Sequence, residues 1–143
     1  MGPVLPGRDP PVRAEMLLHE SERTRVARLF LEGGTVVRKE LFGADAPGRL
    51  RHEIATLQRL RGVVGVVQLL EAPRYPGSIV LEDVGGTNLA GLTTPLDVNE
   101  LVGLAVRLAR AVAGMHRRRV MHRNITPANV VLCGDGAPCL VDF

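Results

Sequence analysis

The chain is predicted to be an α+β protein, in which a small β-rich part holding one helix is followed by a helical part that ends in a β-hairpin. Three observations carry that prediction. Ser78-Ile79-Val80-Leu81-Glu82 is a short apolar run stopped by acidic residues and the Gly85-Gly86 pair, the pattern of a buried strand. Apolar residues recur at helical spacing twice, at Leu50, Ile54, Leu57 and Leu60, and again at Leu101, Leu104, Ala105, Leu108, Val112 and Met115. At the end of the chain a polar cluster leads into an apolar run, the tight Gly134-Asp135-Gly136 turn and a second apolar run, which reads as a loop feeding a hairpin.

Residues 1–13 carry four of the ten prolines without periodicity and are expected to form a disordered arm. The β-rich part is expected over residues 14–84 and the helical part over 85–143. The first helix should start near Asp45-Ala46-Pro47 and stop at Gly62. The second should begin at about Val98, with Asp97 as N-cap and Glu100 three residues on to complete a capping box. It closes on Arg117-Arg118-Arg119, cations that complement the negative end of the helix dipole. Its apolar residues, including Leu101, Val102 and Val106, cover a broad arc, so part of that arc is expected to lack cover. Cys133 and Cys139 flank the hairpin turn, where they can be cross-strand neighbours, and are expected to stay reduced.

The hairpin has a chemical consequence. It brings Asn124, Asn129 and Asp142 to one end, where Asp and Asn oxygens can share magnesium ions, a hard cation that takes oxygen ligands and bridges nucleotide phosphates. A plain hairpin with Asx residues capping its turns uses such residues singly, so the weight lies in the joint pattern. Met121-His122-Arg123-Asn124, then Asn129, then Asp142-Phe143, resembles the catalytic loop of eukaryotic-type protein kinases, His-Arg-Asp-x-x-x-x-Asn, followed by Asp-Phe-Gly. Two departures stand out. The catalytic aspartate is written Asn124, and the sequence stops at Phe143, before the glycine.

Further motifs of that family have counterparts upstream. Of eighteen basic residues only Lys39 is a lysine, in Val36-Val37-Arg38-Lys39, which resembles the Val-Ala-Ile-Lys of the third kinase strand. Glu53 on the first helix is its candidate partner, and Val66-Val67-Gln68-Leu69 resembles the fourth strand. The Ser78–Gly86 stretch resembles the fifth strand and hinge, with Leu81 as gatekeeper and the backbone of Glu82 and Val84 facing adenine. Leu18, Val26, Val37 and Val131 would complete the nucleotide site, while His122 and Phe143 would pack with Leu57 and Leu69 as the regulatory spine. The phosphate-covering loop departs from the family. Its three glycine positions fall on His19, Ser21 and Thr24, which removes the close approach of backbone to phosphate that glycine permits. Arg23, Arg25 and Arg28 are expected to restore part of the positive field.

Composition narrows the function classes. No run of eighteen apolar residues and no signal-peptide pattern is present, so a cytosolic protein without a membrane segment is expected. The formal net charge is +3 and aromatics make up 3%, which offers neither a basic stripe nor stacking residues for nucleic acid. The resemblance implies a protein kinase-like fold covering only the front portion of a kinase domain, with ATP and Mg2+ as cofactors and a protein substrate or regulatory partner. Lys39 would hold phosphates, Glu53 would orient it, Asn124 would occupy the catalytic-base position, and Asn129 with Asp142 would bind the metal. A chain of this extent is expected not to phosphorylate a protein by itself. The alternative is a pseudokinase module, since an amide cannot accept a proton as a carboxylate does. A small-molecule phosphotransferase with a His-Gly-Asp loop fits less well, because Arg123 stands where that loop has glycine.

Overall fold

A computed structural model describes residues 11–143, which divide into two compact units. The arm expected over residues 1–13 therefore lies mostly outside the described residues; within them, the Arg13 amide donates to Phe30 O at 2.8 Å.

The first unit comprises the described residues up to Ile54 together with Leu69–Asp83. Four antiparallel strands, β1 (Ala14–Glu20), β2 (Thr24–Leu31), β3 (Gly34–Leu41) and β4 (Ser78–Glu82), lie in the order β1-β2-β3-β4. β1 is an exposed edge whose register slips between Leu17 and His19, leaving Leu18 out of the ladder. Ala27, Leu29, Val36 and Val80 form a buried cluster, with Leu31, Leu70 and Tyr75 packed against it. Residues paired across antiparallel strands share a face, so Val26, Lys39 and Ile79 lie in a row on the other face, next to the row Arg28, Val37 and Leu81. Between β1 and β2, Ser21 ties the turn, its Oγ accepting from the amides of Arg23 (3.3 Å) and Thr24 (3.2 Å).

Helix α1 (Ala46–Arg59) belongs to the first unit through Ile54 and to the second from Ala55. The second unit continues with Ala55–Gln68 and Val84–Phe143. It contains β5 (Thr87–Asn88), α2 (Val98–Arg117), and the hairpin of β6 (Val130–Leu132) and β7 (Pro138–Leu140), with sheet order β5-β6-β7. The capping box of α2 forms in full: the Glu100 amide donates to Asp97 Oδ1 at 2.8 Å and the Asp97 amide to Glu100 Oε2 at 3.1 Å. Leu60, Val66, Ala111, Met115, Val120, Val130 and Leu140 make the core. α2 buries only Ala111 and Met115, and leaves Leu101, Val102 and Val106 exposed.

Two expectations are corrected. Val66–Leu69 is not a regular strand: Val66 bridges Leu140 in parallel, and Leu69 bridges Leu81 antiparallel, each as an isolated pair. Directly before this segment Gly65 has a φ of +85°, and a side chain there would meet Ala111 Cβ at 2.6 Å. Cys133 and Cys139 are not cross-strand partners, because Cys139 faces Val131 while the Cys133 amide closes the turn on Ala137 O; the two are not joined by a disulfide.

Candidate active site

In the first unit the site is built around a buried cation. Lys39 sits on the inner strand β3, between Val26 and Ile79, and is 7% exposed. A charge so enclosed needs a partner. Glu53, next to the last residue of that unit's share of α1, supplies it: Lys39 Nζ donates to Glu53 Oε1 at 2.8 Å, and Glu53 is itself 6% exposed. Val37 pairs with Leu81 in the same ladder, Glu82 ends β4, and Leu18 lies exposed at the β1 irregularity.

The arginines expected to restore part of a positive field are each held in an ion pair. Arg23 pairs with Asp45, Arg25 with Glu15 (2.7 Å) and Glu40 (3.4 Å), and Arg28 with Asp83 (2.7 Å). Each positive charge is offset by a carboxylate beside it, because antiparallel pairing sets Arg25 opposite Glu40 and brings the end of β4 to the row of Arg28. Asp83 is the hub of a network that sequence reasoning missed: it accepts Arg28 Nε at 2.7 Å, Arg28 Nη2 at 3.2 Å and Thr35 Oγ1 at 2.7 Å. The only signal for it was an acidic residue directly after an apolar strand.

In the second unit the loop before β6 is organised by His122. His122 Nε2 lies 2.7 Å from Val141 O and Nδ1 lies 3.2 Å from the Asn124 amide. Nδ1 must accept from that amide, so the hydrogen sits on Nε2 and donates to Val141, which assigns the neutral tautomer. The ring meets Phe143 edge-on at 4.7 Å. Of the expected spine, Leu57 is buried in this unit, while Leu69 belongs to the first.

Asn124, Asn129 and Asp142 come to one end of the hairpin. Asn129 Nδ2 donates to Asn124 O at 3.0 Å, and the Val141 amide donates to Asn129 O at 3.1 Å, which sets Asp142 next to Asn129. With its Nδ2 so engaged, Asn129 presents Oδ1 as an acceptor. Arg123 and Asp142 both have left-handed backbones, φ 70° and 65°. Such residues outside glycine cost on the order of 1–3 kcal/mol and persist where surrounding structure fixes them. Asp tolerates the region better than Arg. Among the described residues no group of three or more His, Cys, Asp or Glu gathers as a metal site. Two oxygen donors suit magnesium, which keeps several waters and takes further ligands from phosphates. Val131 sits in β6 opposite Asn88 and Cys139, and Val84 is half-buried after β4.

No family model matches the chain. Curated relatives do: serine/threonine-protein kinase PknK of Mycobacterium tuberculosis is 41% identical over 101 residues, 66% of this chain and 9% of PknK. Over that stretch the chain is similar to a serine/threonine-protein kinase. CBL-interacting protein kinase 22 of Oryza sativa subsp. japonica is 38% identical over 101 residues, 66% of this chain and 22% of the rice protein. Serine/threonine-protein kinase KIC1 of Saccharomyces cerevisiae is 30% identical over 102 residues, 64% of this chain and 9% of KIC1. The chain thus spans between 9% and 22% of the length of these relatives. The four-stranded sheet and two helices are compatible with a kinase-like region, and among the described residues no helix is long and apolar enough to cross a membrane.

Proposed function

We propose that the chain provides the ATP- and magnesium-binding elements of a serine/threonine-kinase-like domain. Lys39 contacts the nucleotide phosphates, Glu53 holds its ammonium in place, and Asn129 with Asp142 ligates magnesium. Leu18, Val26, Val37, Leu81, Val131 and the backbone of Glu82 and Val84 contact the adenine. Bound metal would neutralise the charge of the triphosphate. The observation that carries this reading is the buried Lys39–Glu53 pair, 2.8 Å long, in a chain with no other lysine. A compact ammonium on a flexible stem can reach a phosphate while keeping one hydrogen on a carboxylate.

A second reading, a pseudokinase that binds a nucleotide or a protein without transferring phosphate, is favoured by Asn124. Its side chain is an amide in the position where a kinase carries its general base, and loss of such a base costs about 10²- to 10⁴-fold. The turn between β1 and β2 points the same way. It has no glycine and is tied by Ser21.

Calorimetric titration of ATP, with and without magnesium, tests the site against Lys39→Ala and Asp142→Asn. Binding is expected only with magnesium, and is expected to weaken in both variants. Asp142 is exposed, so its substitution leaves the cores untouched. Equal affinity in every arm removes the phosphate and metal assignments, and no binding by the unmodified chain leaves the protein-binding pseudokinase.

A further inference from the structure

The second unit carries a basic groove that the nucleotide reading does not use. It is an open cleft of about 850 Å³, bounded by the C-terminal half of α2, the Gly62–Gly65 turn and the tip of the β6–β7 hairpin. Arg107, Arg110 and Arg117 line it from α2. Their spacing of three and seven residues, with Gly114 between the last two, puts them on one helical stripe, which corrects the expectation that the sequence holds no basic stripe. None of the three has an ion-pair or hydrogen-bond partner among the described residues. That sets them apart from Arg23, Arg25 and Arg28, all of which are paired. Asp135 is the groove's acidic residue, and it already caps the hairpin turn by accepting from the Ala137 amide at 3.0 Å.

The cleft is a built feature. Any side chain at Gly114 would meet Val63 Cγ1 at 2.9 Å, and one at Gly65 would meet Ala111 Cβ at 2.6 Å, so two glycines let the turn sit directly on the helix. Arg59 and Arg118 lock that arrangement through reciprocal bonds: Arg59 Nη2 donates to Arg118 O at 3.0 Å, and Arg118 Nη1 to Arg59 O at 3.1 Å. The groove wall opposite the arginines is apolar, with Val63, Val64 and Pro138, and Val64 is 89% exposed.

We propose that this groove docks an acidic peptide segment of a partner protein, one that places an apolar side chain among its carboxylates. Charge complementarity selects the anion, since three unpaired guanidiniums face one engaged carboxylate. From Arg107 to Arg117 the stripe runs roughly 15 Å along the helix. That equals about five residues of extended peptide. Guanidinium forks bind carboxylates in bidentate fashion, and Val64 with Pro138 provides the apolar seat. A single-stranded nucleic acid would supply the negative charge but would need stacking platforms, and the groove contains no aromatic residue.

The test is fluorescence anisotropy with a labelled peptide, Glu-Glu-Leu-Asp-Glu, against the 143-residue chain. Saturable binding is expected, weakened at least about tenfold in Arg107→Ala/Arg110→Ala/Arg117→Ala, because charge-assisted bonds are the strong ones. A control of equal charge change outside the groove, Arg13→Ala/Arg51→Ala/Arg74→Ala, is expected to retain affinity. Val64→Glu, at a nearly fully exposed position, is expected to weaken binding as well and decides the matter if the triple variant misfolds by circular dichroism. The proposal is overturned by an equal loss in the control, by equal binding of the Gln-Gln-Leu-Asn-Gln peptide, or by no binding at all. Tighter, groove-dependent binding of an oligonucleotide of the same charge overturns it in favour of a nucleic-acid partner.

Discussion

Lys39 Nζ and Glu53 Oε1 stand 2.8 Å apart with both side chains more than nine-tenths buried, so the first unit encloses a salt bridge between its central sheet and its helix. Removing one partner leaves the other charge buried and uncompensated, which typically costs 3–5 kcal/mol, whereas replacing both by apolar groups of similar size is often neutral. Lys39→Met and Glu53→Leu are therefore each expected to destabilise by about 3 kcal/mol or more, and the double variant by much less than their sum. Urea denaturation of the four proteins measures the coupling. Additive losses would mean that the two groups act independently.

Asn124→Asp tests the second unit's chemistry. The position is exposed, and its backbone already serves His122 through the amide and Asn129 through the carbonyl, so the change alters the side chain without disturbing those bonds. In a protein extended through a full large lobe, a carboxylate there accepts a proton and is expected to raise phosphoryl transfer by on the order of 10²-fold or more. Radiolabelled phosphate transfer from ATP reads the rate. If the unmodified protein turns over as fast as the variant, Asn124 is not what limits the reaction.

Local chemistry explains which parts of this fold were legible. The start of α2 follows from Asp97 and Glu100, which satisfy orphan amides within four residues of each other, and the hairpin follows from Gly134-Asp135-Gly136 between apolar runs. The adjacency of Lys39 and Glu53 was readable because a lone lysine in an arginine-rich chain marks a position with its own demand. Long-range polar pairing was not readable. Arg28 and Asp83 lie 55 residues apart and Arg23 and Asp45 lie 22 apart, distances over which no periodicity links two charges. Val66–Leu69 misled for a related reason, since its strand-like composition does not reveal that its two ends find different partners.

Gly86 fixes the entry to the second unit. Its φ is +72°, and a Cβ built there would lie 1.7 Å from Leu132 O, so the backbone of β6 would have to move. Gly86→Ala is expected to destabilise by clearly more than about 1 kcal/mol, because alanine is strained at positive φ even without the clash. Gly134→Ala, which meets nothing within 4 Å and has no left-handed backbone, is the matched control and should be near neutral. Comparable denaturation midpoints for the two variants would show that the hairpin shifts at little cost.

Exposure along α2 predicts a gradient of stability within one helix. Its N-terminal half leaves Val98, Leu101, Val102 and Val106 at 44–75% exposure, while its C-terminal half buries Ala111 at 2% and Met115 at 0%. Each exposed leucine or valine forgoes roughly 1.5–3 kcal/mol of burial, so the first two turns rest on their capping box and the last on tertiary packing. Hydrogen exchange is expected to be faster at amides 102–106 than at 111–117, following local opening of the less buried half. Met115→Ala is expected to cost about 2–5 kcal/mol. Val102→Lys should leave stability unchanged within about 0.5 kcal/mol and improve solubility, since it removes an apolar side chain from solvent rather than from a core. Uniform protection along α2 in a protein that sediments as a monomer would contradict the gradient. Uniform protection that collapses on dilution would instead show that a second copy covers the apolar face.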